Sequence, residues 1–100
     1  MSARLEIRWS QQALEDLLGI HEFIARTSPR YADLTARRLL ESVERLALYP
    51  ESGRVVPELA VASVREVIHG SYRLICEVQG PSRVEVLTVF RGSRQFPRTE

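Results

Sequence analysis

The spacing of apolar residues changes along this chain of 100 residues, and that change constrains the fold more than any other feature of the sequence. After one short alternating segment, apolar residues recur every three or four positions up to Leu46, which is typical of amphipathic helices. From Val64 onward they alternate with polar residues or form short apolar runs between turn residues, which is typical of strands. The chain is therefore expected to adopt an α+β fold with a helical part before most of its sheet.

The first half of the chain predicts one strand and two helices. The alternation that ends at Trp9 indicates a strand, and Ser10 supplies a side-chain oxygen suited to start a helix. Ser28-Pro29 starts a second and longer helix, which ends at Tyr49-Pro50. Since about three residues join the two helices, they are expected to form an antiparallel hairpin. The first helix should bury an apolar stripe that is widened by Leu14, Leu18 and Phe23.

The second half predicts a loop and three antiparallel strands. Pro50 to Ala62 has no clear period and is interpreted as the one substantial loop. Strands are predicted at Val64 to His69, Tyr72 to Val78 and Val84 to Phe90, with turns at Gly70-Ser71 and at residues 79–82. The order is β-α-α-β-β-β in a single domain spanning residues 1–100, with the helical hairpin on one sheet face and an arginine-bearing face left open.

All 14 basic side chains are arginine, and their placement is uneven. Between Arg54 and Arg98 there are seven arginines against four glutamates, whereas the preceding part has seven arginines against eight acids. Base composition of the coding sequence is a sufficient reason for the absence of lysine. The clustering is more informative, because guanidinium groups grip phosphates and carboxylates in pairs.

Several segments of the chain, taken in order, resemble one known family. They are Trp9-Ser10 with Ala13 and Asp16-Leu17, Tyr49-Pro50, Gly53-Arg54-Val55-Val56-Pro57-Glu58, Arg65-Glu66, Tyr72-Arg73-Leu74-Ile75, and Val86-Leu87-Thr88-Val89 leading into Arg91-Gly92-Ser93-Arg94. The chain is similar to the RelE/ParE toxins of bacterial type II toxin-antitoxin pairs, also called plasmid stabilisation proteins. The resemblance implies a RelE-like fold, a cognate antitoxin as partner, a toxin-antitoxin hetero-oligomer and growth arrest when the toxin is free.

The resemblance leaves two molecular targets open. RelE-like members cut mRNA on the ribosome, and in that case Arg65, Glu66, Arg73 and Arg94 would be the catalytic candidates. Those members usually carry additional lysines and a C-terminal tyrosine or histidine, whereas this chain has Val64 and Glu66 in the strand and no such closing residue. ParE-like members bind DNA gyrase and inhibit it, and this branch is favoured.

On the ParE-like interpretation, the arginines bind a target rather than move protons. The expected target-binding residues are Arg54, Arg65, Arg73, Arg91 and Arg94. An inactive module that only binds antitoxin is a third possibility. Arg73 also has a purely structural interpretation, namely a pair with Glu77 or Glu85. Arg65 and Glu66 are consecutive in a strand and point to opposite faces, so at most one is expected at the site.

The remaining composition excludes several other classes. Cys76 is the only cysteine and lies in an apolar run, which predicts a core residue and rules out an internal disulfide. His21 and His69 are far apart, and neither has a carboxylate at ligand spacing, so no metal is expected. No cofactor and no membrane segment are expected, and the location is expected to be cytoplasmic.

Overall fold

The computed structural model describes residues 4–92 as two helices and a five-stranded mixed sheet. The helices are α1 (Gln11–Ala25) and α2 (Pro29–Leu48). The strands are β1 (Glu6–Trp9), β2 (Arg54–Val55), β3 (Val64–His69), β4 (Tyr72–Gln79) and β5 (Arg83–Arg91). The predicted α+β class, helical hairpin and three-stranded meander are confirmed.

Side-chain caps start both helices where the sequence predicts. The Ser10 hydroxyl accepts the Ala13 amide at 3.0 Å and donates to the Leu87 carbonyl at 2.9 Å, so it ties the start of α1 to β5. The Ser28 hydroxyl accepts the Tyr31 amide at 3.1 Å, with proline at the next position. No helix within residues 4–92 is both long and apolar enough to cross a membrane.

The sheet has the order β1-β5-β4-β3-β2, in which only β1 and β5 are parallel. The two tight turns of the meander use glycine in the left-handed region, at Gly70 with φ 58° and Gly80 with φ 62°. The predicted loop contains a 3-10 turn, Pro50–Ser52, and the two-residue strand β2. The segment is a loop as predicted, but the prediction missed β2, because a two-residue strand is too short to show a period.

One face of the sheet, termed the helix face, packs against both helices to form the main core. Leu74, Cys76 and Val86 are fully buried there with Leu39 and Val43 of α2. The buried apolar stripe of α1 is narrower than predicted. Ala13 is buried and Leu17 and Ile20 are partly buried, but the three residues expected to widen the stripe are about half exposed or more: Leu14, Leu18 and Phe23. Only one side of this helix contacts the sheet and α2.

A β-bulge in β5 adjusts which of its residues face the core. The register between β4 and β5 shifts at Ile75/Cys76, so Val86 and Val89 both reach the helix face although they are three residues apart. The Asp16 carboxylate of α1 accepts the Val89 amide at 2.9 Å and the Thr88 hydroxyl at 2.7 Å. This contact fixes α1 against the irregular part of the strand.

The opposite face of the sheet, termed the outer face, is covered over part of its area. Ile75, Glu66 and Arg73 lie on this face, and each is less than a tenth exposed. Val56, at the end of β2, is also fully buried and lies outside the main core cluster. The expectation of an open arginine-bearing face was therefore wrong in its middle, because the segment after β2 folds back toward Arg73.

Candidate functional site

Two arginines and two glutamates form one ion-paired network at the outer face. The network consists of Arg54 in β2, Glu58 in the following turn, Glu66 in β3 and Arg73 in β4. Antiparallel pairing brings Arg54 opposite Glu66, and Glu66 and Arg73 occupy the same face of neighbouring strands. Two charges of each sign make the network neutral in total.

Glu66 lies at the centre of the network and is held on both sides. One carboxylate oxygen accepts Arg73 Nε at 2.6 Å, and the other accepts Arg54 Nε at 2.6 Å. Its side chain has no exposed surface. A buried carboxylate needs such partners, since an unpaired charge away from water is very costly. Glu66 is therefore a structural acceptor with both oxygens occupied, which does not suit the role of general base.

Glu58 completes the coordination of Arg73 from the other side. Its two oxygens accept the two terminal nitrogens of Arg73, each at 3.1 Å, in a bidentate fork. Hydrogen bonding to Arg73 lowers the pKa of Glu58, and the same fork raises the pKa of Arg73. The turn that presents Glu58 is closed by a hydrogen bond from Ala60 N to Val56 O at 2.8 Å, with Ala60 in the left-handed region at φ 53°.

Arg73 is further enclosed by the end of β5. Its guanidinium lies 5.3 Å from the centroid of the Phe90 ring. A Cβ at Gly92 would overlap Cγ and Cδ of Arg73, so the position has no room for a side chain unless Arg73 moves. Gly92 N also donates to Ser71 O. The Arg91-Gly92 segment thus contributes a lid over the Arg73 side chain.

Arg54 differs from Arg73 because it remains accessible. Its side chain is 62% exposed although it pairs with Glu66, whereas that of Arg73 is 9% exposed. A hollow of about 350 Å³ lies beside Arg54 and Arg73 and is also lined by Ile68 and Gly92. Arg54 therefore has N–H groups left over for a partner at this hollow.

Arg65 lies on the other face and holds the loop together. Its guanidinium donates to Ala62 O at 2.8 Å and to Gly53 O at 2.9 Å, which joins the two ends of the segment that carries β2. The expectation that Arg65 and Glu66 point to opposite faces is confirmed. The pairs suggested for Arg73 with Glu77 and Glu85 are not formed.

Arg91 is also separated from the network. It is paired in register with Tyr72, which packs against the main core, so it lies at the end of the helix face. It is exposed. Arg94, the remaining predicted site residue, lies outside the described residues. The five expected target-binding arginines thus do not form one patch: Arg54 and Arg73 share the outer face, and Arg65 and Arg91 do not.

Glu77 and Glu85 are cross-strand neighbours that share a different partner. The Gln79 amide donates to Glu77 at 3.0 Å and to Glu85 at 2.9 Å. Glu58 is the member of the network that residue-by-residue reasoning missed. The sequence shows Glu58 as one of the four glutamates in the arginine-rich part of the chain and as the end of the Gly53 to Glu58 segment, but its partner lies fifteen residues away in another strand.

Other chemistry expected from the sequence can be located in the structure. Cys76 is fully buried in the main core, and burial raises the pKa of its thiol to about 12. His21 contacts Asp33 at 2.7 Å across the helical hairpin. Within residues 4–92, no group of three histidine, cysteine or acidic side chains is placed to hold a metal ion.

Comparison with known proteins identifies the family to which this chain belongs. The family described as the ParE toxin of type II toxin-antitoxin system, parDE, matches residues 7–96. The chain is 32% identical over 96 residues to Y4kP of Sinorhizobium fredii, a protein described as a candidate toxin, and the match covers 96% of this chain and 97% of the relative. The chain therefore belongs to the ParE/RelE family of type II toxins.

Two further similarities come from both branches of the family. Toxin RelE2 of Caulobacter vibrioides is 40% identical over 63 residues, which covers 63% of this chain and 67% of the relative. A chain from the structure of the chromosomal ParDE system of P. aeruginosa superposes with a TM-score of 0.70 at 21% identity, covering 88% of this chain and 96% of that chain. The latter similarity confirms the fold.

Proposed function

We propose that this chain is a ParE-like toxin that arrests growth by binding and inhibiting DNA gyrase and that is neutralised by a cognate antitoxin. The observation that carries the choice of branch is the state of Glu66. Cleavage of RNA by the neighbouring hydroxyl needs a proton acceptor with a free lone pair near the phosphate. Both Glu66 oxygens are instead bound to arginines inside a neutral network.

The same network supports a binding role. Arg54 is held in place by Glu66 and still exposes most of its side chain to solvent. An arginine with remaining N–H donors beside a hollow suits a carboxylate or phosphate of a partner. Arg73 is too buried to offer much surface, so its contribution is to fix Glu66 and Glu58. Arg91 is a second exposed cation, which lies at the helix face and not at the outer face. Arg94 stays a predicted contact.

The antitoxin is proposed from the family membership and from the toxin-antitoxin systems among its structural neighbours. Exposed apolar side chains are available for it on α1 at Leu14, Leu18 and Phe23. A folded toxin with half-exposed leucines on a helix is expected to gain stability from a partner that covers them. The toxin and antitoxin are therefore expected to assemble in the cytoplasm as a hetero-oligomer.

The test is to induce the chain in bacteria without antitoxin and to follow labelled thymidine and labelled methionine over the first minutes. We expect thymidine incorporation to fall first, and we expect the purified chain to inhibit supercoiling by gyrase. An early fall in methionine incorporation with cut transcripts would instead assign the chain to the mRNA-cleaving branch. No fall in either, with antitoxin binding retained, would leave an inactive antitoxin-binding module.

A matched set of variants tests the assignment of the surface. Arg54→Ala and Arg91→Ala should reduce inhibition of supercoiling, whereas Arg37→Ala, which removes the same charge from an exposed position on α2, should not. Circular dichroism and antitoxin binding check that each variant is folded. Full inhibition by both Arg54→Ala and Arg91→Ala would contradict the proposed surface.

A further inference from the structure

A second basic site lies on the opposite side of the sheet from the network. Near the turn between β3 and β4, a pocket of about 240 Å³ is lined by Arg38 of α2 and Arg91 of β5. We term it the cationic pocket. Within the described part of the chain, neither guanidinium takes part in a hydrogen bond or ion pair, whereas Arg54, Arg65 and Arg73 are all engaged.

The lining of the cationic pocket is suited to an anion. Among residues 4–92 no acidic residue lines it. Its other polar side chains each have a hydroxyl or ring nitrogen able to donate: Tyr31, Thr35, His69, Ser71 and Tyr72. Two like charges facing one small pocket repel each other. An anion that bonds to both guanidinium groups would remove that repulsion, and phosphate matches the planar arginine fork.

The cationic pocket adjoins an apolar groove along α1. The groove has a volume of about 480 Å³ and shares Phe23, Tyr72 and Arg91 with the pocket. Glu15 and Asp16 line the groove but not the pocket. Repulsion from these two carboxylates would keep an anion out of the groove, while the two aromatic side chains offer surfaces on which a planar ring can stack. One ligand with an anionic end and a flat apolar end fits both parts.

We infer that the cationic pocket and the groove together bind a nucleotide, with its phosphate between Arg38 and Arg91 and its base against Phe23 and Tyr72. At about 240 Å³ the pocket alone is smaller than the roughly 300–1,000 Å³ typical of ligand sites, so the base must extend into the groove. The same phosphate chemistry is presented by a free mononucleotide and by the 5′ end of a nucleic-acid strand. This site shares no residue with the network but shares Arg91 with the proposed target surface, so it is tested by nucleotide binding and not by inhibition of supercoiling.

The test is isothermal titration calorimetry on the purified full-length chain with inorganic phosphate, adenosine and adenosine 5′-monophosphate. The monophosphate is expected to bind at least about tenfold more tightly than either fragment, because phosphate and base contacts act in one molecule. Arg38→Gln and Arg91→Gln should each weaken it by about tenfold, the loss expected for one charge-assisted contact. Arg37→Gln, the neighbouring exposed arginine on α2, should leave the affinity unchanged.

A DNA tetranucleotide with and without a 5′-phosphate separates the two sources. Tighter binding of the phosphorylated strand than of the monophosphate would identify a strand end, and the reverse would identify a free nucleotide. Binding of the monophosphate no tighter than inorganic phosphate would overturn the inference. Equal weakening by Arg37→Gln and Arg38→Gln would also overturn it, because general charge attraction would then be sufficient. Thermal melts confirm that the variants, both at exposed positions of α2, are folded.

Discussion

Replacing Arg73 with methionine is expected to destabilise the fold strongly, because it removes one of the two arginines that hold Glu66. The Glu66 side chain is fully buried, and the substitution removes the partner of one oxygen while leaving Arg54 on the other. Removing one member of a buried ion pair typically costs about 3–5 kcal/mol. Native domains have a free energy of unfolding of roughly 5–15 kcal/mol, so the loss would be a large part of the total stability.

A double-mutant cycle separates the contribution of the Glu66–Arg73 ion pair to stability from that of the Arg73 side chain alone. Glu66→Leu with Arg73→Met removes both buried charges, and replacement of a buried pair by apolar residues is often close to neutral. Arg54 would lose its partner too, but its side chain is 62% exposed and returns to water at little cost. The double variant should therefore recover most of the stability that Arg73→Met loses.

Urea denaturation followed by far-ultraviolet circular dichroism measures each free energy of unfolding, with exposed Arg37→Met as the control, expected within about 0.5 kcal/mol of the native chain. A loss of less than about 1 kcal/mol in Arg73→Met would refute the reasoning. It would mean that Glu66 can reach water, and that Arg73 is available to a target as first expected from the sequence. A double variant as unstable as Arg73→Met would refute the pairing.

Three further predictions concern Glu58, Cys76 and Ala60. Arg73 lowers the pKa of Glu58, so the stabilisation from this carboxylate is present above its ordinary pKa of 4.5 and is lost as the pH falls through the lowered pKa. In Glu58→Gln the urea midpoint should therefore fall less steeply at acid pH than in the native chain. An equally steep fall in both would contradict this. Burial raises the pKa of Cys76 to about 12, so stability should decline above about pH 9 by up to about 1.4 kcal/mol per pH unit, a decline absent from Cys76→Ala. Ala60→Gly should stabilise the chain by up to about 1 kcal/mol, because φ 53° favours glycine; a lower urea midpoint would contradict this.

Both helices and four of the five strands were predictable because each carries its own local signal. The period of two gave β3 with the bounds that the structure has, and Ser10 and Ser28 marked both helix starts. The position of β1 next to β5 was not predictable, because parallel pairing joins the two ends of the chain and leaves no local pattern. Likewise β2 has two residues, which is too few for any period.

Most residues of the candidate site could be predicted from the sequence, but the ion pairs between them could not. Sequence reasoning selected Arg54, Glu66 and Arg73, and antiparallel pairing does bring them together. It offered Arg73 only Glu77 or Glu85 as partners and gave Arg54 none, since the glutamates that neutralise them are known only once strand order and loop path are fixed. Glu58 reaches Arg73 through a turn in which an alanine has positive φ, and no residue type signals that conformation.

The ion pair with Glu66 also affects how a binding toxin would use Arg54. An isolated surface arginine loses much side-chain freedom when a partner immobilises it, which weakens binding. The pair with buried Glu66 already restricts Arg54, and Glu66 is itself fixed by Arg73 and by the lid at Gly92. A partner that contacts the exposed N–H groups of Arg54 therefore meets a donor that is already oriented. On this argument the buried residues of the network act through Arg54, so a substitution such as Gly92→Ala should weaken target binding even though Gly92 lies next to Arg73 and not next to Arg54.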